Sequence, residues 1–204
     1  MLVTSYNNQA FDDLLTIQLK PSQGAHISTD TKENITAIYN NHELVGMNIF
    51  SVSQWLDGLS DGSVTLSAEQ VDTLNKKIKE YGFDFELEAD TENKFVVGYV
   101  QECRPHDDSD HLHVTQTLVG NDEVLQIVCG AKNIAAGQKV VVAKPGAIMP
   151  GGLVIWPGEL RGVESNGMIC SAKELDLPKE QHGEGILVLP EDAVVGEAFS
   201  FALD

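Results

Sequence analysis

Ile127-Val128-Cys129-Gly130-Ala131-Lys132-Asn133-Ile134, followed closely by Gly137-Gln138-Lys139-Val140-Val141-Val142-Ala143-Lys144-Pro145-Gly146-Ala147, decides how the second half of this chain folds. An apolar run of strand length, Val124 to Cys129, breaks at Gly130. A second, Lys139 to Ala143, stops before Pro145-Gly146. Runs this short, closed by glycine and proline, read as buried strands rather than helices. Outward from them, Phe95 to Val100 is a further strand. His111 to Val119 alternates and ends on the turn Gly120-Asn121-Asp122, and Gly185 to Leu189 comes just before Pro190. Five short strands with this punctuation predict an all-β domain of the OB-fold kind, a five-stranded Greek-key barrel.

The first half reads differently. Leu14 to Leu19 is a strand ended by Pro21, and Asn34 to Tyr39 and Glu43 to Phe50 flank Asn40-Asn41-His42 as a hairpin, because asparagine tolerates the positive φ that tight turns require. Ser67 to Tyr81 is a helix: Ser67 and Gln70 have capping-box spacing, Val71, Leu74, Ile78 and Tyr81 fall on one face, and Gly82 stops it. The acidic stretch Glu86, Glu88, Asp90, Glu92 reads as a solvated junction. The expected organisation is therefore an accessory α+β domain over 1–93 and the OB-fold domain over 94–204.

The 204 residues are 42% hydrophobic and 22% charged, ordinary for a globular protein. No apolar run is long enough to span a bilayer, and the opening Met1 to Asp13 has neither the basic nor the apolar segment of a secretory signal, so a cytoplasmic address is expected. Cys103, Cys129 and Cys170 are odd in number and lack C-x-x-C spacing, which disfavours a disulfide framework or a thiolate zinc site. No phosphate-binding loop, dinucleotide fingerprint or G-x-S-x-G elbow occurs, so neither a catalytic residue nor a cofactor is expected. Thirteen Lys+Arg against 31 Asp+Glu give a net charge of −18. Residues 1–93 hold 5 Lys and 15 Asp+Glu, and residues 94–204 hold 8 Lys+Arg and 16 Asp+Glu. Such a chain repels polyanions unless its few cations are gathered in one place.

Candidate binding residues lie in the second half. Asn133 carries a paired donor and acceptor able to read a base edge, or to satisfy its own loop. Lys144 stands at a strand end before Pro145-Gly146, where a cation can meet a phosphate. Arg161 opens a polar loop through Ser165, Asn166 and Gly167; its planar fork suits a phosphate, or Glu159 or Glu164. Met168 and Trp156 offer surfaces for a base face or for the core. Ser171 is expected to cap a short helix beside Lys173, an anion site or simple capping. Clustering of Lys132, Lys139, Lys144, Arg161 and Lys173 would give a local cationic rim of modest affinity and steep salt dependence. His111 and His113, two apart on one expected strand beside Asp110, are the best metal candidates, without an evident third ligand.

A third block, Leu160-Arg161-Gly162-Val163-Glu164-Ser165-Asn166-Gly167-Met168-Ile169-Cys170-Ser171, follows the first two in order. Together the three resemble the tRNA-binding OB domain of the bacterial phenylalanyl-tRNA synthetase β subunit, a module also found in methionyl-tRNA synthetase tails and free-standing tRNA-binding proteins. The layout as a whole is similar to the YtpR-type tRNA-binding proteins of Gram-positive bacteria. One block departs: where the family reads His-Pro-x-Ala-Asp-x-Leu, this chain has His106-Asp107-Asp108-Ser109-Asp110-His111-Leu112, an acidic knot where the family has a proline. The resemblance implies a non-catalytic protein that takes tRNA at its outer corner by shape, pairs as a homodimer through the carboxyl-terminal side of the barrel, and can meet an aminoacyl-tRNA synthetase. Two other readings stay open: an interaction or dimerisation module without RNA binding, and a metal-binding protein using His111 and His113.

Overall fold

Strict alternation gives the first half of the molecule a sheet with one apolar face. The computed structural model describes residues 1–22, 26–181 and 183–201, and the chain divides into two compact units, Met1–Glu92 and Asn93–Asp204. In the first unit, β1 (Val3–Asn7), β2 (Leu14–Gln18), β3 (Ile27–Lys32), β4 (Ile35–Asn40), β5 (Glu43–Phe50) and β6 (Gly62–Ser63) form a six-stranded sheet in the order β3-β4-β5-β2-β1-β6. All its pairings are antiparallel. Leu15, Ile17, Ile35, Ala37, Met47 and Ile49 are buried on one face together with Val71, Leu74 and Ile78 of helix α1 (Ala68–Glu80). Asn41 and His42 take positive φ in the β4–β5 turn. Ser67 caps α1 with the reciprocal Gln70 bond, and Gly82 follows at φ 77°. β1 and β3 have no counterpart in the sequence reading: β1, Val-Thr-Ser-Tyr-Asn, is only five residues long and does not alternate, and every residue of β3 but Lys32 is exposed.

The second unit is built on β7 (Phe95–Pro105), β8 (His113–Leu118), β9 (Val124–Cys129) and β10 (Lys139–Ala143), with β11 (Gly158–Leu160) and β12 (Val163–Ser165) as a separate hairpin, β13 (Met168–Ile169), and β14 (Val188–Leu189). The main sheet runs β13-β10-β7-β8-β9, with β14 also on β10. One segment reaches both edges of it. On the β9 side, Asn166 donates its backbone N–H to the Gln126 carbonyl, Gln126 donates its side-chain amide to the Glu164 carbonyl, and Val128 donates its N–H to Ser165 Oγ. Three residues on, β13 pairs with β10. The sheet is thereby closed on itself around Val100, Ile127, Val140 and Val142, all without accessible surface. Two sequence expectations shrink. The strand expected from His111 begins only at His113, and of Gly185 to Leu189 only Val188 and Leu189 pair. The reason in both cases is that the preceding residues spend their backbone groups elsewhere: Leu112 N on Ser109 Oγ, and Leu187 N on the Cys170 carbonyl. Leu187, Leu189 and Phe199 pack against a second cluster around Val141 and Cys170, while Phe201 is 41% exposed.

Gly120 and Gly196 hold the end of this unit against the β8–β9 turn. Their φ values are 101° and 88°, and a Cβ on Gly120 would stand 2.6 Å from the Gly196 Cα. Positive φ and backbone contact each exclude a side chain. Gly120→Ala is expected to destabilise the protein by about 2 kcal/mol or more, read as a lower urea midpoint. A midpoint equal to that of the unaltered chain would show that the two loops do not need this contact.

Candidate nucleic-acid interface

After β9 the chain turns at Gly130-Ala131 and is fixed by Asn133. Its side chain acts as a strand would: Nδ2 donates to the Ile186 carbonyl at 3.0 Å, and Ile186 donates its N–H to Oδ1 at 2.9 Å. A Cβ on Gly185 would lie 1.9 Å from that Oδ1, and Gly185 has φ 84°. Gln138 Nε2 in turn donates to the Asn133 carbonyl at 2.9 Å. Of the two uses open to Asn133, a base edge or the backbone of its own loop, the amide is engaged within the protein, joining the 130–134 turn to the 185–187 segment in a long-range clip that sequence spacing does not reveal.

Lys144 is also engaged within the protein. It is 9% exposed, and its Nζ lies 2.6 Å from Glu123 Oε2 in the β8–β9 turn. A buried ammonium needs such a partner. The expected rim of five cations is divided among different partners. Lys139 donates to the Glu191 and Ala193 carbonyls, Arg161 donates to the Asp108 carbonyl at 3.2 Å, and Lys132 is exposed.

Arg161 and Gly162, at φ 50° and 76°, form the two-residue turn of the β11–β12 hairpin, the mirror-image turn that suits twisted antiparallel strands. His106, 3% exposed, ties this hairpin to the loop before β8. Asp108 donates its N–H to Nδ1 at 3.0 Å, so the proton sits on Nε2, which donates to the Leu160 carbonyl at 3.3 Å. Arg161 therefore bonds across to this loop rather than to Glu159 or Glu164. Asn166 donates its side-chain amide to Glu164 Oε1 at 2.7 Å, and Ser165 is taken up in the sheet closure.

Met168, Ser171 and Lys173 come together. With Glu174 they line two adjoining open grooves. One, of about 500 Å³, continues along Gly130, Ala131 and Ile186; the other, of about 630 Å³, continues along Met149, Pro150 and Leu153. Leu153 is 61% exposed. Its place follows from a turn at Pro150-Gly151-Gly152 between the bridged residues Ile148 and Val154, and the Pro-Gly-Gly run is the sequence signal for it. Trp156 is half-buried and lines neither groove. The short helix expected after Ser171 is a turn over residues 172–176. Ser171 and Glu174 do make the reciprocal capping contacts. But Asp176 turns to φ 52°, Leu177 donates back to the Ala172 carbonyl, and Pro178 follows. The Glu174 carboxylate occupies the place at Ser171 N–H where an external anion was expected. Lys173 alone of the groove's named residues brings positive charge. Cys170 beneath them is fully buried, which pushes its thiol up to about 12 and leaves it neutral.

His111 and His113 do not share a strand face, since only His113 lies on β8. His111 Nδ1 is instead 2.9 Å from Asp110 Oδ1, whose carboxyl is held below its ordinary value first by that bond. Among the described residues no three His, Cys, Asp or Glu side chains are grouped to hold a metal ion. No helix among them is long and apolar enough to cross a membrane.

Asn133→Ala removes two hydrogen bonds and leaves both backbone groups of Ile186 without their partner. A loss of about 2 kcal/mol in unfolding free energy is expected, measured by urea denaturation. A loss under about 0.5 kcal/mol would mean the clip contributes nothing.

Comparison with known proteins places this geometry. Residues 95–198 match the family model described as "Putative tRNA binding domain", and residues 22–90 match a "Domain of unknown function (DUF4479)". The chain is 46% identical over 198 residues to the "Putative tRNA-binding protein YtpR" of Bacillus subtilis, covering 96% of this chain and 98% of that protein. It is 52% identical over 136 residues to the phenylalanine–tRNA ligase beta subunit of Oceanobacillus iheyensis, and 53% identical over 111 residues to that of Idiomarina loihiensis. These matches cover 63% and 54% of this chain but only 17% and 14% of the two ligase subunits.

Proposed function

The chain belongs to the family of tRNA-binding proteins that carry this domain, and on that premise we propose that it binds tRNA through its second unit, as a five-stranded OB-fold barrel that recognises the folded shape of the RNA without acting on it chemically. The observation that carries the reading is the pair of grooves meeting at Met168, Ser171 and Lys173. OB barrels take nucleic acid in grooves that combine an apolar face for a base with a cation for the backbone. Here Met168 and Leu153 supply the apolar surface and Lys173 the charge. Arg161, at the tip of its hairpin, supplies a second cation. Asn133, Ser165 and Asn166 serve the same function indirectly, by holding the segments that form the grooves, and Lys144 anchors the β8–β9 turn of the same barrel. The protein acts in the cytoplasm. Two copies join through the carboxyl-terminal aromatic cluster of Phe95, Phe199 and Phe201, whose rings meet edge to face, and a synthetase is a further partner.

Two or three available cations imply few phosphate contacts. Each contact contributes roughly −0.7 to −0.9 to the slope of log affinity against log salt. A titration of the full chain with total tRNA is therefore expected to give a slope of about −2. Lys173→Glu should weaken binding about tenfold or more, with the melting temperature unchanged because the side chain is exposed. Failure of the unaltered chain to bind tRNA at the lowest salt would refute the reading. Equal binding by Lys173→Glu would move the contact away from the grooves.

A further inference from the structure

The chain builds the same capping box twice, once neutral and once charged. At the start of α1, Ser67 donates its N–H to Gln70 Oε1 at 2.9 Å, and Gln70 donates its N–H to Ser67 Oγ at 3.2 Å. Gln70 spends the rest of its amide on the Asp57 carbonyl, to which Nε2 donates at 3.1 Å. The pattern recurs with a carboxylate at the turn over residues 172–176. Ser171 donates its N–H and its hydroxyl to Glu174 Oε2, each at 2.7 Å, and Glu174 donates its N–H to Ser171 Oγ at 3.2 Å. Glu174 Oε1 is left with no partner among the described residues. A box that Gln70 completes as a neutral amide needs no charge, so the cap does not account for the carboxylate at 174. Its surroundings do. Glu174 lines both grooves, beside Met168 and Lys173. An acceptor fixed by three bonds next to an apolar surface is what orients a ligand in a pocket. Asp176 lines the second groove as well, so two carboxylates stand against one lysine where the grooves meet. A phosphate is repelled from that place and a neutral base is not.

We propose that Glu174 is the specificity-determining residue of the grooves, its Oε1 accepting from the N1–H and N2–H edge of an unpaired guanine. The inference rests on the tRNA-binding reading above and names the base which that reading leaves open. An ionised carboxylate only accepts, and the four bases answer it differently. Guanine sets two donors side by side, N1–H and the N2 amino group. Adenine and cytosine each set one amino group beside a ring-nitrogen acceptor, and uracil sets N3–H between two carbonyls. Each of those three brings a lone pair against the carboxylate. Unstacked bases of RNA are read on this edge, and Met168 and Leu153 are placed to cover the face. Lys173 is left to the backbone on either side of the base.

The test uses the full chain and total tRNA at about 50 mM salt. Glu174→Gln keeps the box, as Gln70 shows, and removes a negative charge from beside a polyanion. A carboxylate that only caps makes this variant bind as well as the parent, or better. With guanine at Oε1, the variant loses a charge-assisted bond and binds about tenfold more weakly. A footprint reads the base itself, because kethoxal attaches to N1 and N2 of unpaired guanine. Saturating parent shields a guanine that is reactive in free tRNA, and saturating Glu174→Gln leaves the same guanine reactive. Equal or tighter binding by Glu174→Gln, with unchanged melting, overturns the proposal. So does a parent that shields no guanine, or a guanine shielded alike by both chains. If Glu174→Gln melts below the parent, Glu174→Asp, which keeps the charge and withdraws it by one methylene, takes its place in the footprint under the same criterion. A parent that binds tRNA, loses it with Lys173→Glu and ignores Glu174→Gln overturns this inference alone. A parent that binds no tRNA overturns the functional reading, and this proposal with it.

Discussion

Closure of the second sheet by residues 164–169 is the constraint from which the rest of that unit follows. An open five-stranded sheet would leave the N–H and C=O groups of β9 without partners on one side. Here Ser165 and Asn166 take up β9, and β13 then crosses to β10. Gly167 makes the crossing possible: at φ 139° it carries no side chain where a Cβ would stand 3.0 Å from the Ala143 carbonyl oxygen. Met168 emerges from this crossing, and three residues later Ser171 begins the turn that presents Lys173. The grooves are thus a by-product of how the sheet is closed. A change at Ser165 would alter binding through this route even if the side chain never touched RNA.

The same logic explains why so many residues that look like ligand contacts are occupied within the protein. A polar residue in a glycine-rich loop is as able to bond backbone as to bond RNA, and the loop must be held before it can bind anything. Asn133 holds Ile186, Lys144 holds Glu123, Arg161 holds the Asp108 carbonyl, and His106 holds Leu160. Positional rigidity of this kind reduces the ordering cost at binding. It also leaves few cations to face a partner.

Local signals were legible in the sequence where they were complete within a few residues. The β4–β5 hairpin follows from Asn40-Asn41-His42 between β-branched runs, and α1 from the Ser67–Gln70 box and one apolar stripe. β8 follows from alternation ended by a turn, and β9 and β10 from apolar runs closed by turn residues. What could not be read depended on distant partners. β3 has almost no buried residue of its own and exists because β4 pairs with it. The turn after Ser171 begins with a helix cap but is ended by contacts of Leu177 and by Pro178. Lys144 lies at a strand end, as its sequence suggests, yet the carboxylate that claims it comes from a turn 21 residues earlier. His111 and His113 have the spacing of a strand pair, but the strand begins two residues too late for them to share it.

An acidic protein that binds RNA has to separate two requirements: repulsion of polyanions over most of its surface, and contact with one of them somewhere. In the second unit Lys173 stands where two grooves meet, beside Met168 and Leu153, so that on the proposed reading attraction is confined to a spot where bases can also be covered. A protein built this way would hold RNA with a weak salt dependence for its affinity, and would reject duplexes that offer phosphates without the matching shape. Net charge alone misjudges such a molecule, because −18 describes the whole chain and recognition is a local matter.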